Sequence, residues 1–171
     1  MQKHRIAATA LAVALAAGGI GAATTAGPAT AAPNGSSECP AVPKDRVASA
    51  IERLPKPFPN RPEINWVQTG HGGSIDCTLN WVQVYSAGAT GSSPTQIILF
   101  DHFKEAGTIT KKPTAFTAVE PWVVPGQILV HFRWLNPGDP TANPTGSAYV
   151  RYQREEQRAP HPIDPLPRQA L

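Results

Sequence analysis

The chain has 171 residues, but its first 32 residues contain 13 alanines and none of the 12 acidic residues. Removal of residues 1–31 also removes two bases, so the formal charge falls from +3 to +1, with 13 bases against 12 acids. This balance excludes a strongly basic nucleic-acid-binding protein. The remaining 140 residues suit one domain and hold 18 of the 19 prolines, which excludes a mainly helical bundle and favours short strands joined by loops.

The N-terminus has the pattern of an export signal. A basic start at residues 3–5 precedes an uncharged apolar run over residues 6–20. Small residues then lead up to Ala32, as a signal peptidase requires. The pattern predicts a signal peptide of residues 1–31, cut between Ala31 and Ala32.

A stable membrane anchor and a lipid anchor are not expected. The apolar run is short and consists mostly of Ala, which inserts weakly into a bilayer. The first cysteine, Cys39, follows Glu38, whereas a lipobox places small apolar residues before its cysteine. We therefore expect a secreted, soluble protein that associates with the cell wall, with residues 32–38 as a polar linker.

Cys39 and Cys77 are the only cysteines of the chain. In an exported protein an even number of cysteines indicates a disulfide. The bridge would close a loop of about 40 residues and stabilise the fold by about 4 kcal/mol on the chain-entropy model. Metal ligation and a catalytic thiol are the alternatives, but this isolated pair lacks the spacing of a zinc site.

One helix precedes a series of strands. Apolar residues recur at helical spacing over residues 44–54, and Pro55 ends this predicted helix. Residues 55–62 carry four prolines and form an extended connector. Alternating apolar residues then predict strands at residues 64–68, 78–86, 95–100, 107–110, 115–119, 126–134 and 147–153.

These elements predict an α+β domain over residues 39–153. Its N-terminal helix packs on a mainly antiparallel sheet of about six to seven short strands, stapled by one disulfide. Residues 154–171 contain four prolines and scattered charges, which predicts a disordered tail.

The last two long strands also predict a register. Matching their apolar faces places Trp134 opposite Ala148 and Phe132 opposite Val150. The other face then carries a set of cationic and aromatic side chains, which we take as the candidate binding face: His131, Arg133, Tyr149 and Arg151.

Several segments stand out in the chain. One is Ser-Ser-Pro-Thr-Gln-Ile-Ile-Leu-Phe at 92–100, and another is Val-His-Phe-Arg-Trp at 130–134 followed by Ala-Asn-Pro-Thr-Gly-Ser-Ala at 142–148. Upstream, Cys39 precedes a helix that ends in Leu-Pro, and Cys77 precedes a Leu-x-Trp-Val strand. Their order and spacing resemble the LppP/LprE family of actinobacterial cell-envelope lipoproteins.

The resemblance covers roughly residues 39–153. It implies an exported, envelope-associated protein, and it supplies no enzyme class, catalytic residue or cofactor. The missing lipobox is a departure from the family pattern, and it places membrane anchoring in question.

No motif in the mature chain indicates catalysis or a metal. Its four histidines share no metal-ligand spacing, and neither G-x-S-x-G nor S-x-x-K occurs. We therefore predict a protein that is not an enzyme, with no cofactor and no metal. The alternative is a small secreted hydrolase whose site is assembled from distant residues.

Two surfaces are candidates for binding. The first is the face defined above, where arginines can bind an anionic envelope group. The alternative is that this face is solvated and that Arg133 simply stacks on Tyr149. The second is the long loop 135–146, with Asn136, Asp139 and Asn143, which serves either as a binding loop or as a rigid turn. The prediction is a monomeric interaction module for an unidentified envelope component or protein.

Overall fold

The computed structural model describes residues 39–171. The predicted signal peptide, its cleavage site at Ala31 and Ala32, and the linker 32–38 lie outside the described residues. The described elements, in chain order, are α1 (Lys44–Arg53), β1 (Trp66–Gly73), β2 (Leu79–Ser86), β3 (Thr95–Asp101), β4 (Lys104–Thr108), β5 (Ala118–Glu120), β6 (Gln127–Trp134), β7 (Gly146–Gln153), β8 (His161–Pro162) and a 3₁₀ helix (Arg168–Ala170).

The strands form two antiparallel sheets of four strands each. The first sheet has the order β1-β2-β3-β4 and the second has the order β5-β6-β7-β8. This corrects the expected single sheet of six to seven strands. The physical reason is visible in β3, which is buried at every position from Thr95 to Phe100 and therefore needs a cover on both faces.

The second sheet covers one face of the first. The core between them is made of buried side chains from both sheets: Leu79, Trp81, Ile97, Leu99, Val119, Ile128, Val130, Phe132, Val150 and Tyr152, with Ile109 from the segment after β4 and Ala170 from the C-terminus. Each large side chain buried in this way contributes about 1.5–3 kcal/mol to folding. The opposite face of the second sheet is left half-buried or exposed.

The predicted helix is confirmed as α1, and it covers the other face of the first sheet. Val47 and Ala50 are buried there against side chains from β1, β2 and β3. The domain thus has three layers: the helix, the first sheet and the second sheet. An ion pair between Arg53 and Glu105 joins the end of α1 to β4.

Strand β1 extends beyond the predicted strand 64–68, because it continues through the glycine-rich segment up to Gly73. Gly72 and Gly73 pair with Trp81 and Asn80 of β2. A Cβ on Gly72 would lie 2.8 Å from the indole of Trp81, and one on Gly73 would lie 3.0 Å from the sulfur of Cys39. The glycines therefore permit close packing on a continuous strand.

The predicted register of the last two long strands is wrong by two residues. The structure pairs Phe132 with Ala148, and His131 with Tyr149. A two-residue shift keeps every side chain on its predicted face, so alternation could not reveal it. The position is set by Trp134, whose ring lies so close to Gly146 that a side chain there would overlap it.

The expected disordered tail is also corrected. Strand β8 pairs with Tyr152 and Gln153 of β7, and Ala170 is buried in the core between the sheets. The prolines of this segment do not prevent docking, because an extended segment can pack without long strand pairing. The folded unit therefore extends well beyond the predicted boundary at residue 153.

The predicted disulfide between Cys39 and Cys77 is confirmed, with Cα atoms 5.4 Å apart. It ties the segment before α1 to the turn between β1 and β2. Across residues 39–171, no helix is long and apolar enough to cross a membrane.

Candidate functional site

Two adjoining cavities lie beside β6, and we call them together the β6 groove. Both are lined by Phe116, Thr117 and Arg133. One, the apolar pocket, has a volume of about 270 Å³. The other, the polar pocket, has a volume of about 530 Å³. Ligand sites of about 300–1,000 Å³ are typical, so the groove as a whole is of ligand-binding size.

The apolar pocket is built at the end of β6, where the chain leaves the second sheet. Phe132 is buried in the core, Trp134 packs against it, and Leu135 is 40% exposed. Pro167 and Ala170 of the C-terminal segment complete the lining. The docked C-terminus therefore forms part of this pocket.

The polar pocket contains a fixed aromatic pair. The rings of His131 and Tyr149 stack with centroids 4.1 Å apart. His131 Nε2 lies 2.8 Å from Ser147 Oγ, and its Nδ1 lies 3.3 Å from Glu120 Oε1. Because both ring nitrogens and one ring face are engaged, the imidazole is held in one orientation.

Arg133 stands where the two pockets meet. Its Nη2 donates a hydrogen bond to the carbonyl oxygen of Pro144 at 2.8 Å. Among the described residues it has no ion-pair partner within 4.0 Å, and its side chain is exposed. A guanidinium has five N–H donors, so donors remain for a planar anion.

Arg151 differs from the other members of the predicted binding face. Its Nε and Nη2 donate to the two carboxylate oxygens of Asp164 at 2.9 and 2.7 Å, and its backbone N–H donates to Oδ2 at 2.8 Å. These hydrogen bonds lower the pKa of Asp164 to about 2. The structure places all four predicted residues on one face, but Arg151 is committed to docking the C-terminus.

The candidate loop is organised by its own hydrogen bonds. Asp139 Oδ2 accepts from the backbone N–H of Thr145 at 2.8 Å and from that of Asn136 at 2.7 Å. These backbone donors lower the pKa of Asp139. The backbone N–H of Asn143 donates to Pro140 in a further turn. The loop thus has the bonding of a rigid turn, and its role in binding stays a prediction.

Four residues of this region were not predicted as site residues. Ser147 shares the odd-numbered face of β7 with Tyr149, so strand periodicity could have included it. Glu120 and Asp164 reach their partners only through pairing that the sequence does not reveal. Phe116 has a φ of 52°, a left-handed conformation that is uncommon for a bulky residue and that often marks functional sites.

A metal site has no support in the described part of the chain. Between residues 39 and 171, no three side chains of His, Cys, Asp or Glu are grouped so that they could hold an ion.

Part of the chain is similar to a known protein family. Residues 74–157 match the family model described as LppP/LprE lipoprotein. Residues 74–157 are therefore an LppP/LprE lipoprotein family segment. The matched LppP/LprE region contains Arg133 and the stacked pair His131–Tyr149, whereas Pro167 and Ala170 of the apolar pocket lie beyond it.

Curated LppP/LprE relatives are similar over a longer stretch. Proteins named "Putative lipoprotein LppP" from Mycobacterium bovis and from two strains of Mycobacterium tuberculosis are 31% identical over 108 residues. The alignment covers 63% of this chain and 59% of each relative, so the chain spans less than two thirds of their length. No solved structure matches the chain significantly.

Proposed function

We propose that this protein is a non-catalytic binding protein of the cell envelope, which takes up its partner in the β6 groove. The match of residues 74–157 to a lipoprotein family supports envelope association. The proposed protein is exported, monomeric and associated with the cell wall, and its partner is an envelope component rather than nucleic acid.

The observation that carries the proposal is the position of Arg133. It lines both cavities, and it has no ion-pair partner within residues 39–171. Next to it, the His131–Tyr149 pair offers a fixed aromatic surface. The cation, the aromatic surface and the apolar pocket are already in place before binding. Less conformational entropy is therefore lost when a ligand binds.

Site-directed photocrosslinking on the cells that produce the protein tests this proposal. The secreted full chain carries a photoreactive phenylalanine in place of Tyr149, or in place of Val123, which is 75% exposed and outside both cavities. We expect an envelope adduct from position 149 only, and its loss in Arg133→Gln. Equal adducts from both positions, or none from position 149, would refute binding at this groove.

A second candidate function is hydrolysis, favoured by the contacts of His131. Ser147 Oγ, His131 and Glu120 have the order of a nucleophile, a base and a carboxylate that orients the base, with separations of 2.8 and 3.3 Å. In this mechanism His131 takes the proton of Ser147 as the oxygen attacks an ester carbonyl, and it returns that proton to the alcohol as the ester C–O bond breaks. Ser147 lies in a regular strand, however, and not on the strained turn that presents such serines in many hydrolases.

A fluorophosphonate probe separates the two candidates, because it labels only an activated serine. If the protein is non-catalytic, the probe should not label Ser147. The parent protein and Ser147→Ala should then hydrolyse short esters at the same rate. Ser92→Ala is the control, since Ser92 is an exposed serine of the apolar pocket. Label and turnover that disappear in Ser147→Ala alone would establish the hydrolase.

A further inference from the structure

We infer that the ligand of the β6 groove is a single-chain anionic amphiphile. Its chain enters the apolar pocket, and its carboxylate or phosphate group lies against Arg133. This inference rests on the proposed binding function and names the chemical class of its ligand.

The apolar pocket determines the chain. Its walls include Phe116, Phe132, Trp134 and Leu135, so the buried part of a ligand must be apolar. Its volume of about 270 Å³ is just below the usual range for whole drug-sized ligands. A single unbranched chain suits that space, whereas a bulky multi-chain lipid does not.

The charged side chains at the mouth of the apolar pocket determine which head group the ligand can carry. Three charged or titratable side chains other than tyrosine line the groove: His131, Arg133 and Glu120. Glu120 lies 3.3 Å from His131, so its carboxylate faces the imidazole. Arg133 remains as the cation at the junction of the pockets, and its planar guanidinium matches a carboxylate or phosphate group.

The two features occur together, and this combination excludes simpler ligands. A free small anion would leave the apolar pocket empty, and an uncharged hydrocarbon would leave Arg133 without an ion-pair partner. Leu135 adds an exposed apolar contact at the rim of the pocket. A ligand that is apolar at one end and anionic at the other makes both sets of contacts at once.

Calorimetric titration of the folded secreted chain, below the critical micelle concentration, tests the inference. The probes are decanoate, decyl phosphate, decanol and butyrate. We expect decanoate or decyl phosphate to bind at least about tenfold more tightly than decanol or butyrate, since each tenfold step requires only one good charge-assisted contact. The preferred head group distinguishes a carboxylate ligand from a phosphate ligand.

Matched variants locate the binding. Arg133→Gln should weaken decanoate at least about tenfold, whereas Arg158→Gln removes an exposed cation outside the groove and should change nothing. Leu135→Asp places a carboxylate at the rim and should weaken decanoate as well. Val123→Asp is its control, an exposed apolar residue outside both cavities. Circular dichroism confirms that each variant is folded.

Several results would overturn the inference: no binding of either anionic probe, equal binding of decanol, or full binding by Arg133→Gln. If these occur while the adduct at position 149 still forms and depends on Arg133, the binding function stands and the ligand class is wrong. If neither experiment gives a signal, the binding function itself fails.

Discussion

His131 and Tyr149 face each other across β6 and β7, with ring planes inclined by 15° and centroids 4.1 Å apart. The same imidazole is within hydrogen-bonding distance of Ser147 and Glu120. One residue of β6 thus joins side chains from β5 and β7, and it fixes the surface beside Arg133.

Replacement of Tyr149 tests this pair. Tyr149→Ala should lower the free energy of unfolding by about 0.5–1.5 kcal/mol, because it removes a stacked aromatic partner. Tyr149→Phe keeps the ring and should retain nearly all of the stability. Urea unfolding measures both variants, and an equal loss in Tyr149→Phe would show that stacking is not the source of the effect.

Loss of Asp164 should release the C-terminus. Asp164→Asn removes the charge that binds the guanidinium of Arg151, so residues 163–171 should become a better substrate for carboxypeptidase at neutral pH. Glu156→Gln, an exposed acid near this segment, is the control. Undiminished resistance in Asp164→Asn would mean that Ala170 and the other apolar contacts suffice to hold the C-terminus.

Asp76 gives the fold a dependence on pH. Partial burial acts to raise its pKa, but hydrogen bonds from Ser74, from the backbone N–H of Gly126 and from Thr78 outweigh burial and lower the pKa to about 2. A carboxyl with a depressed pKa stabilises the fold above its unfolded value of 3.8. That contribution should disappear as the pH falls from about 4 to about 2.

The bond from Gly126 to Asp76 also joins the turn before β2 to the turn before β6. Asp76→Ala should therefore cost about 1–3 kcal/mol at neutral pH, because it removes charge-assisted hydrogen bonds from the partly buried donors of Ser74 and Gly126. Its stability should also decline less between pH 4 and pH 2 than that of the parent protein. Parallel slopes in urea unfolding over this range would contradict the assignment.

Removal of the disulfide should be costly. The double variant Cys39→Ser with Cys77→Ser should lose about 4 kcal/mol of unfolding free energy, because the open chain regains the entropy of a loop of about 40 residues. Reduction and alkylation of the parent protein should give a similar loss in thermal unfolding. A stability unchanged by both treatments would mean that the unfolded chain is already restricted.

Gly146 should tolerate no side chain. Gly146→Ala would drive a Cβ into the indole of Trp134, and overpacking of this kind costs about 1–3 kcal/mol. Because Trp134 lines the apolar pocket, its fluorescence should shift and decanoate binding should weaken. Gly70→Ala is the control, since Gly70 lies outside both cavities and its added Cβ would lie 3.5 Å from Trp81, an ordinary contact distance.

The short-range pattern of residue types along the sequence determined much of this protein's secondary structure. The helix, the approximate position of most strands and the face taken by each side chain of β6 and β7 follow from periodicity, which depends on neighbours within one segment. The disulfide followed from the number of cysteines and the predicted export. The polar outer face of the second sheet, with His131, Arg133 and Tyr149, was visible for the same reason.

Only the tertiary structure decided how these segments meet. The division into two sheets depends on which apolar faces cover each other, and the two-residue register depends on the fit of Trp134 against Gly146. The pairing of Arg151 with Asp164 joins two segments across a turn, and it removes one cation from the predicted binding face. Such contacts depend on distances in space, and a linear pattern of residue types does not encode them.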